Sequence, residues 1–163
     1  MAKERFHISF NSPVGPIEIS GPEDAVTSVW FVEALQPSSA EVPPVLLQCK
    51  AELEEYFAGK RKQFTVAPDL RGSEFELLVW SELLQLGYGE TCSYGHIARQ
   101  VKNPDAAQAV GLANGRNPVA IIVPCHRVIG QSGKLTGYGG GLWRKQWLLN
   151  HEGNVSGKNP TLF

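Results

Sequence analysis

The spacing of apolar residues changes once along this chain, and that change limits the possible folds more than any other feature. In the first third Phe6, Ile8 and Phe10 alternate with polar neighbours, as do Ile17 and Ile19, with Ser12-Pro13-Val14-Gly15 between the two runs. A period of two marks a half-buried strand, and a short Pro/Gly segment between two such runs predicts a hairpin. Val26–Val32 supplies a third strand. Beyond the Pro- and Ser-rich stretch 37–44 the spacing becomes three and four. Leu46, Cys49, Leu53, Tyr56 and Phe57 share one face of a helix that stops near Gly59, with Glu52, Glu54 and Glu55 on its outer surface. Strands followed by helices give an α+β protein (two-domain α/β), with a small sheet and one helix over 1–70 and a second domain over 71–163. The boundary falls in residues 60–72, which read as strand or linker. A length of 163 residues accommodates one moderate domain or two small ones.

The second domain is punctuated by helix signals. Ser73 with Glu76 forms a capping box, opening a helix on which Phe75, Val79, Leu83 and Leu86 align before Gly87-Tyr88-Gly89 ends it. Ser93 can cap a helix through Tyr94, Ile97 and Val101. Asn103-Pro104 then supplies an N-cap and a first-turn proline for a helix from about Asp105 to Asn114, with Gly115 as its stop. Two helices joined so tightly, over about 93–115, predict a helix-turn-helix. The second is made of small residues (Ala106, Ala107, Gln108, Ala109, Val110, Gly111, Leu112, Ala113). Such a surface suits either tight packing on another helix or close approach to a narrow DNA groove.

Composition narrows the partners. Net charge is −1, but residues 1–90 hold 7 Lys and Arg against 14 Asp and Glu, whereas residues 91–163 hold 8 against 2. A basic C-terminal half facing a polyanion fits that split, as does an uneven solvated surface. Cys49, Cys92 and Cys125 are odd in number with no close pair, so no disulfide framework is expected, and Cys49 on its apolar stripe reads as a buried, inert thiol. The four histidines are scattered and no CxxC or HxxxH spacing occurs, so no metal site is expected. No signal-peptide run or membrane-length apolar stretch is seen, and a cytoplasmic protein, nuclear in a eukaryote, is expected.

The chemistry concentrates at Pro124-Cys125-His126-Arg127, which follows an apolar run, Val119–Val123, that reads as a buried strand. The thiolate is the nucleophile, and neighbouring positive charge lowers a thiol pKa from about 8.5 toward neutrality. Adjacent residues of an extended chain point apart, so direct contact between Cys125 and His126 is not assured, and a water between them could carry the proton. Glu152 is the sole acid downstream of Asp105 and the candidate to orient His126. Cys125 can equally be a structural cysteine beside a surface arginine. A thiol protease is disfavoured, because it needs a distant histidine and an oxyanion hole.

Asn117-Pro118, the run IIVPCHRVIG (121–130), Thr136-Gly137-Tyr138 and LLNHEG (148–153) closely resemble the O6-alkylguanine-DNA alkyltransferases. The resemblance covers roughly 73–153, and the first 70 residues match that family's variable N-terminal domain in outline. It implies irreversible, single-turnover transfer of an alkyl group from O6-alkylguanine, with O4-alkylthymine as a second substrate, to Cys125. His126 is then the base through a water and Glu152 the acid behind it. Asn117 holds the turn before the active-site strand, and Tyr94 donates toward guanine N3. Tyr138 lies beside the flipped base, the Gly139 N–H faces O6, and Lys145 stands near the site. Ala106, Ala107, Gln108, Ala109, Gly111, Arg116, Arg127 and Val128 complete the residues expected to contact substrate or DNA. The resemblance further implies minor-groove binding of double-stranded DNA by a monomer, with no cofactor and no membrane. Gln108 departs from the family, many of whose members carry an arginine there that replaces the extruded base. A lesion-binding protein that recruits other repair factors is the alternative, but such proteins lack the acceptor cysteine. A sequence-reading helix-turn-helix regulator is another.

Overall fold

The computed structural model describes residues 5–133 and 135–157. Its backbone divides into two compact units, the first running to Leu70 and including Pro118–Ala120, the second formed by Arg71–Asn117 and the chain from Ile121 onward. The short segment 118–120, expected in the second domain, thus packs with the first.

In the first unit the alternating runs form an antiparallel sheet, β1 (Phe6–Phe10), β2 (Ile17–Gly21) and β3 (Ser28–Phe31), in that order. The hairpin turn closes with Ser12 and Gly15 exchanging backbone hydrogen bonds at 3.2 and 3.0 Å, and Gly15 takes the φ of 94° that the turn demands. Ile8 opposes Ile19, Phe10 opposes Ile17, and β2 pairs the same residues with Val29 and Phe31. The period of two therefore sets all six side chains on one face, and helix α1 (Pro44–Phe57) packs on β1 and β2. Val119 bridges Val29 in parallel, with Val29 N–H donating to Pro118 O (3.0 Å) and Ala120 N–H to Val29 O (2.9 Å).

Glu52, expected on the outer surface of α1, is buried. Its carboxylate accepts from Thr65 N–H (2.8 Å), Val66 N–H (3.2 Å), Gln48 Nε2 (2.9 Å) and the Thr65 hydroxyl. Burial alone would raise its pKa, but these donors hold it below the ordinary value. The segment after α1 thus folds back onto the helix through an ionised side chain, and contains no named strand.

The second unit contains α2 (Glu74–Leu83), β4 (Cys92–Ser93), α3 (Tyr94–Gln100), α4 (Ala107–Gly115), β5 (Val128–Ile129) and α5 (Leu142–Ser156). Both hydrogen bonds of the Ser73–Glu76 capping box are present, and Ser93 accepts from His96 N–H to cap α3. The expected Asn103 cap of α4 is not formed. Lys102 turns left-handed (φ 61°) and the helix opens only at Ala107, with Ala106 as an N-cap that makes no side-chain bond. Helices α2, α3 and α4 pack together, and buried Trp80 fixes α2 to α4 by donating its indole N–H to Ala113 O (2.9 Å). β4 and β5 pair in parallel, Cys92 opposite Val128.

Val119–Val123 is fully buried as expected but is not a strand. Ile121 adopts a φ of 72°, which no strand tolerates, and residues 121–122 form a turn.

Candidate active site

The second unit gathers Asn117, Cys125, His126 and Glu152 into one buried cluster. Cys125 opens a single 3-10 turn, Cys125–Arg127, in place of the extended chain expected there. Two asparagines from the end of α4 and the loop after it hold that turn. Asn117 Nδ2 donates to Val123 O (2.8 Å) and to the Cys125 sulfur (3.2 Å). Asn114 Nδ2 donates to Cys125 O (3.2 Å). Asn117 was expected from the sequence. Asn114 was not, since nothing in a helix-terminal Asn-Gly distinguishes a nucleophile's support from a helix end.

Glu152, on α5, lies 2.6 Å from His126 Nε2 through Oε2. It also accepts from Arg127 Nε (2.8 Å), Arg127 Nη2 (3.1 Å) and the backbone N–H of Gly89 (3.2 Å). Burial would raise its pKa, yet His126 and Arg127 drive it well below the usual carboxylate range. An ionised carboxylate only accepts, so His126 Nε2 carries the hydrogen. Burial, in turn, lowers the His126 pKa against the pull of Glu152, leaving the ring neutral near pH 7. Its Nδ1 then bears the lone pair, buried and without a hydrogen-bond partner among the described residues. Gly89 sits at φ 76° with a Cβ position only 2.7 Å from Ser156 Oγ, so only glycine brings its N–H here.

One electrostatic expectation is corrected. Cys125 does not gain a lowered pKa from its neighbours. Burial raises it, and Asn117, the Tyr138 hydroxyl and the Lys145 charge offset this only in part. Arg127, two positions further along, directs its charge at Glu152. At rest the group is a thiol.

Arg127, Val128 and Lys145, expected to contact substrate or DNA, are interior residues, and their contacts are with the protein. Arg127 Nη1 donates to Leu86 O (2.9 Å) and the guanidinium lies over the Tyr88 ring, 5.7 Å from its centroid. Lys145 Nζ donates to Val128 O (2.6 Å) and Thr136 O (3.3 Å), and burial draws its pKa down to about 8. Tyr138 places its buried hydroxyl against the cysteine sulfur, and Gly139 beside it is exposed.

A second set lies on α3 and α4. Gln108 and Ala109 are exposed, and Ala106, Ala107, Gly111 and Tyr94 are half-buried. Gly111 lies under the Tyr94 ring, where an added Cβ would stand 3.9 Å away. The Tyr94 hydroxyl meets Thr136 Oγ1 at 2.6 Å, a partner the sequence does not reveal. Arg116 is solvent-exposed beyond α4, 3.8 Å from Glu76. Together the cluster offers a thiol, a neutral imidazole with a free lone pair and a carboxylate behind it, a set suited to activating sulfur as a nucleophile.

Known proteins share this architecture. The model for the 6-O-methylguanine DNA methyltransferase DNA binding domain matches residues 74–154, and that for the ribonuclease-like domain of the same methyltransferase matches residues 6–70. The methylated-DNA–protein-cysteine methyltransferase of Mycolicibacterium paratuberculosis is 50% identical over 94% of this chain and 95% of its own length. The protein of the same name from Methanosarcina acetivorans is 46% identical over 91% and 99%. A crystal structure of Mycobacterium tuberculosis OGT in complex with DNA matches with a TM-score of 0.83 and 49% identity, covering 91% of this chain and 93% of that one.

Proposed function

The chain belongs to the 6-O-methylguanine DNA methyltransferase family, and from that premise we propose that it repairs duplex DNA directly, moving the alkyl group of O6-alkylguanine irreversibly onto Cys125. The observation that carries this reading is the neutral His126, tied to Glu152 through Nε2 and presenting an unpartnered Nδ1 in the same turn as the thiol.

Nδ1 takes the thiol proton through a bridging water, and Glu152 stabilises the imidazolium that forms. The sulfur attacks the alkyl carbon in line. The S–C bond forms, the C–O6 bond breaks, and its electron pair enters the purine ring, which takes a proton at N3 from Tyr94. The Asn117 amide, the Tyr138 hydroxyl and the Lys145 charge favour the anionic sulfur. Burial keeps Cys125 a thiol at rest, so its proton must be removed before the sulfur can attack. The resulting thioether is stable, so one molecule repairs one lesion.

The DNA is read by α4, whose Ala106, Ala107, Ala109 and Gly111 let the helix backbone approach the minor groove, with Gln108 exposed to take the place of the extruded guanine. Arg116, exposed beyond α4 and only loosely paired with Glu76, reaches a phosphate. The protein acts as a monomer in the compartment that holds the DNA.

Whole-protein mass after incubation with duplex carrying O6-methylguanine tests the reading. One methyl mass is expected, mapped to Cys125 and lost in Cys125→Ser, which still binds DNA. Methyl on Cys49 or Cys92, or no transfer at all, would sink it.

A further inference from the structure

We infer that Thr136 is a positioning residue for the transfer, holding the Tyr94 phenol in place and stabilising it once its proton has gone. This rests on the reading above, in which Tyr94 protonates the departing guanine.

Tyr94 is the first residue of α3, and Thr136 lies 42 residues later, between β5 and α5. Their hydroxyl oxygens are 2.6 Å apart, at the short end for neutral O–H···O contacts. Either oxygen can donate at rest. During transfer the choice disappears. Tyr94 has a single proton, and when this goes to guanine the phenolate can only accept, so the Thr136 O–H must donate to it. A hydrogen bond to an ionised oxygen is roughly twice as strong as a neutral one. The contact is therefore worth more in the transition state than in the resting protein, which is the condition for accelerating a chemical step.

Thr136 is also anchored independently of Tyr94. Its carbonyl accepts from Lys145 Nζ, and that buried ammonium is fixed in turn by Val128 O. A β-branched side chain on a tethered backbone has few rotamers, which limits how far its hydroxyl can swing from Tyr94. Protons balance within the protein, since His126 holds the one from the thiol and Tyr94 lends the one taken by guanine. Both are restored through solvent.

Single-turnover methyl transfer from O6-methylguanine duplex, compared across wild type, Thr136→Val, Thr136→Ser, Tyr94→Phe and the double variant Tyr94→Phe/Thr136→Val, tests this. Thr136→Val should transfer about five- to tenfold more slowly. Thr136→Ser, which keeps the hydroxyl, should restore most of the rate, and the double variant should be no slower than Tyr94→Phe. If Thr136→Val does not fold, Thr136→Ala enters the same cycle. The inference is overturned by a wild-type rate in Thr136→Val, by Thr136→Ser as slow as Thr136→Val, or by full additivity in the double variant. A wild-type protein that transfers nothing to Cys125 overturns the functional reading itself.

Discussion

Replacing Glu152 by glutamine preserves shape and removes one buried negative charge, so its effect can be worked out from the contacts. The carboxylate accepts from His126 Nε2 at 2.6 Å, from Arg127 Nε and Nη2 at 2.8 and 3.1 Å, and from Gly89 N–H at 3.2 Å. Glutamine can keep an acceptor for one side of this set, but its amide brings donors against donors on the other. Arg127 is 5% exposed and would be left as a buried charge without its counter-ion. Removing one member of such a pair costs about 3–5 kcal/mol, which lowers the melting temperature by roughly 10 °C in a protein of this size. The difference also depends on pH, with a definite sign. Glu152 has a folded pKa below its unfolded value, so its contribution is complete above about 4.3 and is lost as pH falls toward the folded value. The gap between wild type and variant should therefore narrow by about 1.4 kcal/mol for each unit below about pH 4.3. Urea denaturation at pH 7 and pH 3 measures both quantities. Methyl transfer should slow at least about tenfold, because His126 loses the group that stabilises its charged form. A variant as stable as wild type at pH 7, or a gap that does not change with acid, would refute the assignment of Glu152 as an ionised hub.

Gln108→Arg should speed repair of duplex DNA by about two- to tenfold, more at low salt, with a smaller gain on free O6-benzylguanine, since a guanidinium stacks and steers where an amide does not. Equal gains on both substrates would place the effect elsewhere. Trp80→Phe should destabilise the second unit by about 1–3 kcal/mol in guanidinium titration, through loss of the indole bond to Ala113 O and of buried volume. Iodoacetamide at neutral pH should label Cys125 far more slowly in the native protein than in the urea-unfolded chain, because burial both covers the thiol and raises its pKa. Rapid native labelling mapped to Cys125 would contradict that.

Local signals in the sequence translated directly. The Ser73–Glu76 box, the Ser93 cap and the Ser12–Gly15 turn each close within a few residues, and so did their readings. Where local and distant preferences compete, the reading fails. Asn103-Pro104 looks like a helix start, but Asn103 N–H bonds back to Ala98 O and delays α4 to Ala107. The apolar run 119–123 is buried but pairs with β3 only around Val119, and a left-handed Ile121 is invisible to any hydrophobic pattern. Glu52 looks solvated until Thr65 and Val66 fold over it. In the candidate site the reactive types stand in one short motif and could be named. Their electrostatics could not, because the charge of Arg127 is cancelled by a residue 25 positions away and the support from Asn114, Leu86 and Gly89 comes from backbone and amide groups without a motif.

The strand-like pairing of Val119 with Val29 has a consequence for anyone dividing the chain. A fragment ending at Leu70 contains all of β1, β2, β3 and α1, yet it lacks the peptide groups of Pro118 and Ala120 that satisfy Val29 N–H and C=O. Its outermost strand would offer those groups to any other extended chain, and a bare sheet margin of this kind invites self-association. The isolated N-terminal fragment should therefore tend to stick to itself, and supplying a peptide spanning 117–121 in trans is the natural way to keep it apart. The compact unit is two pieces of chain, not one.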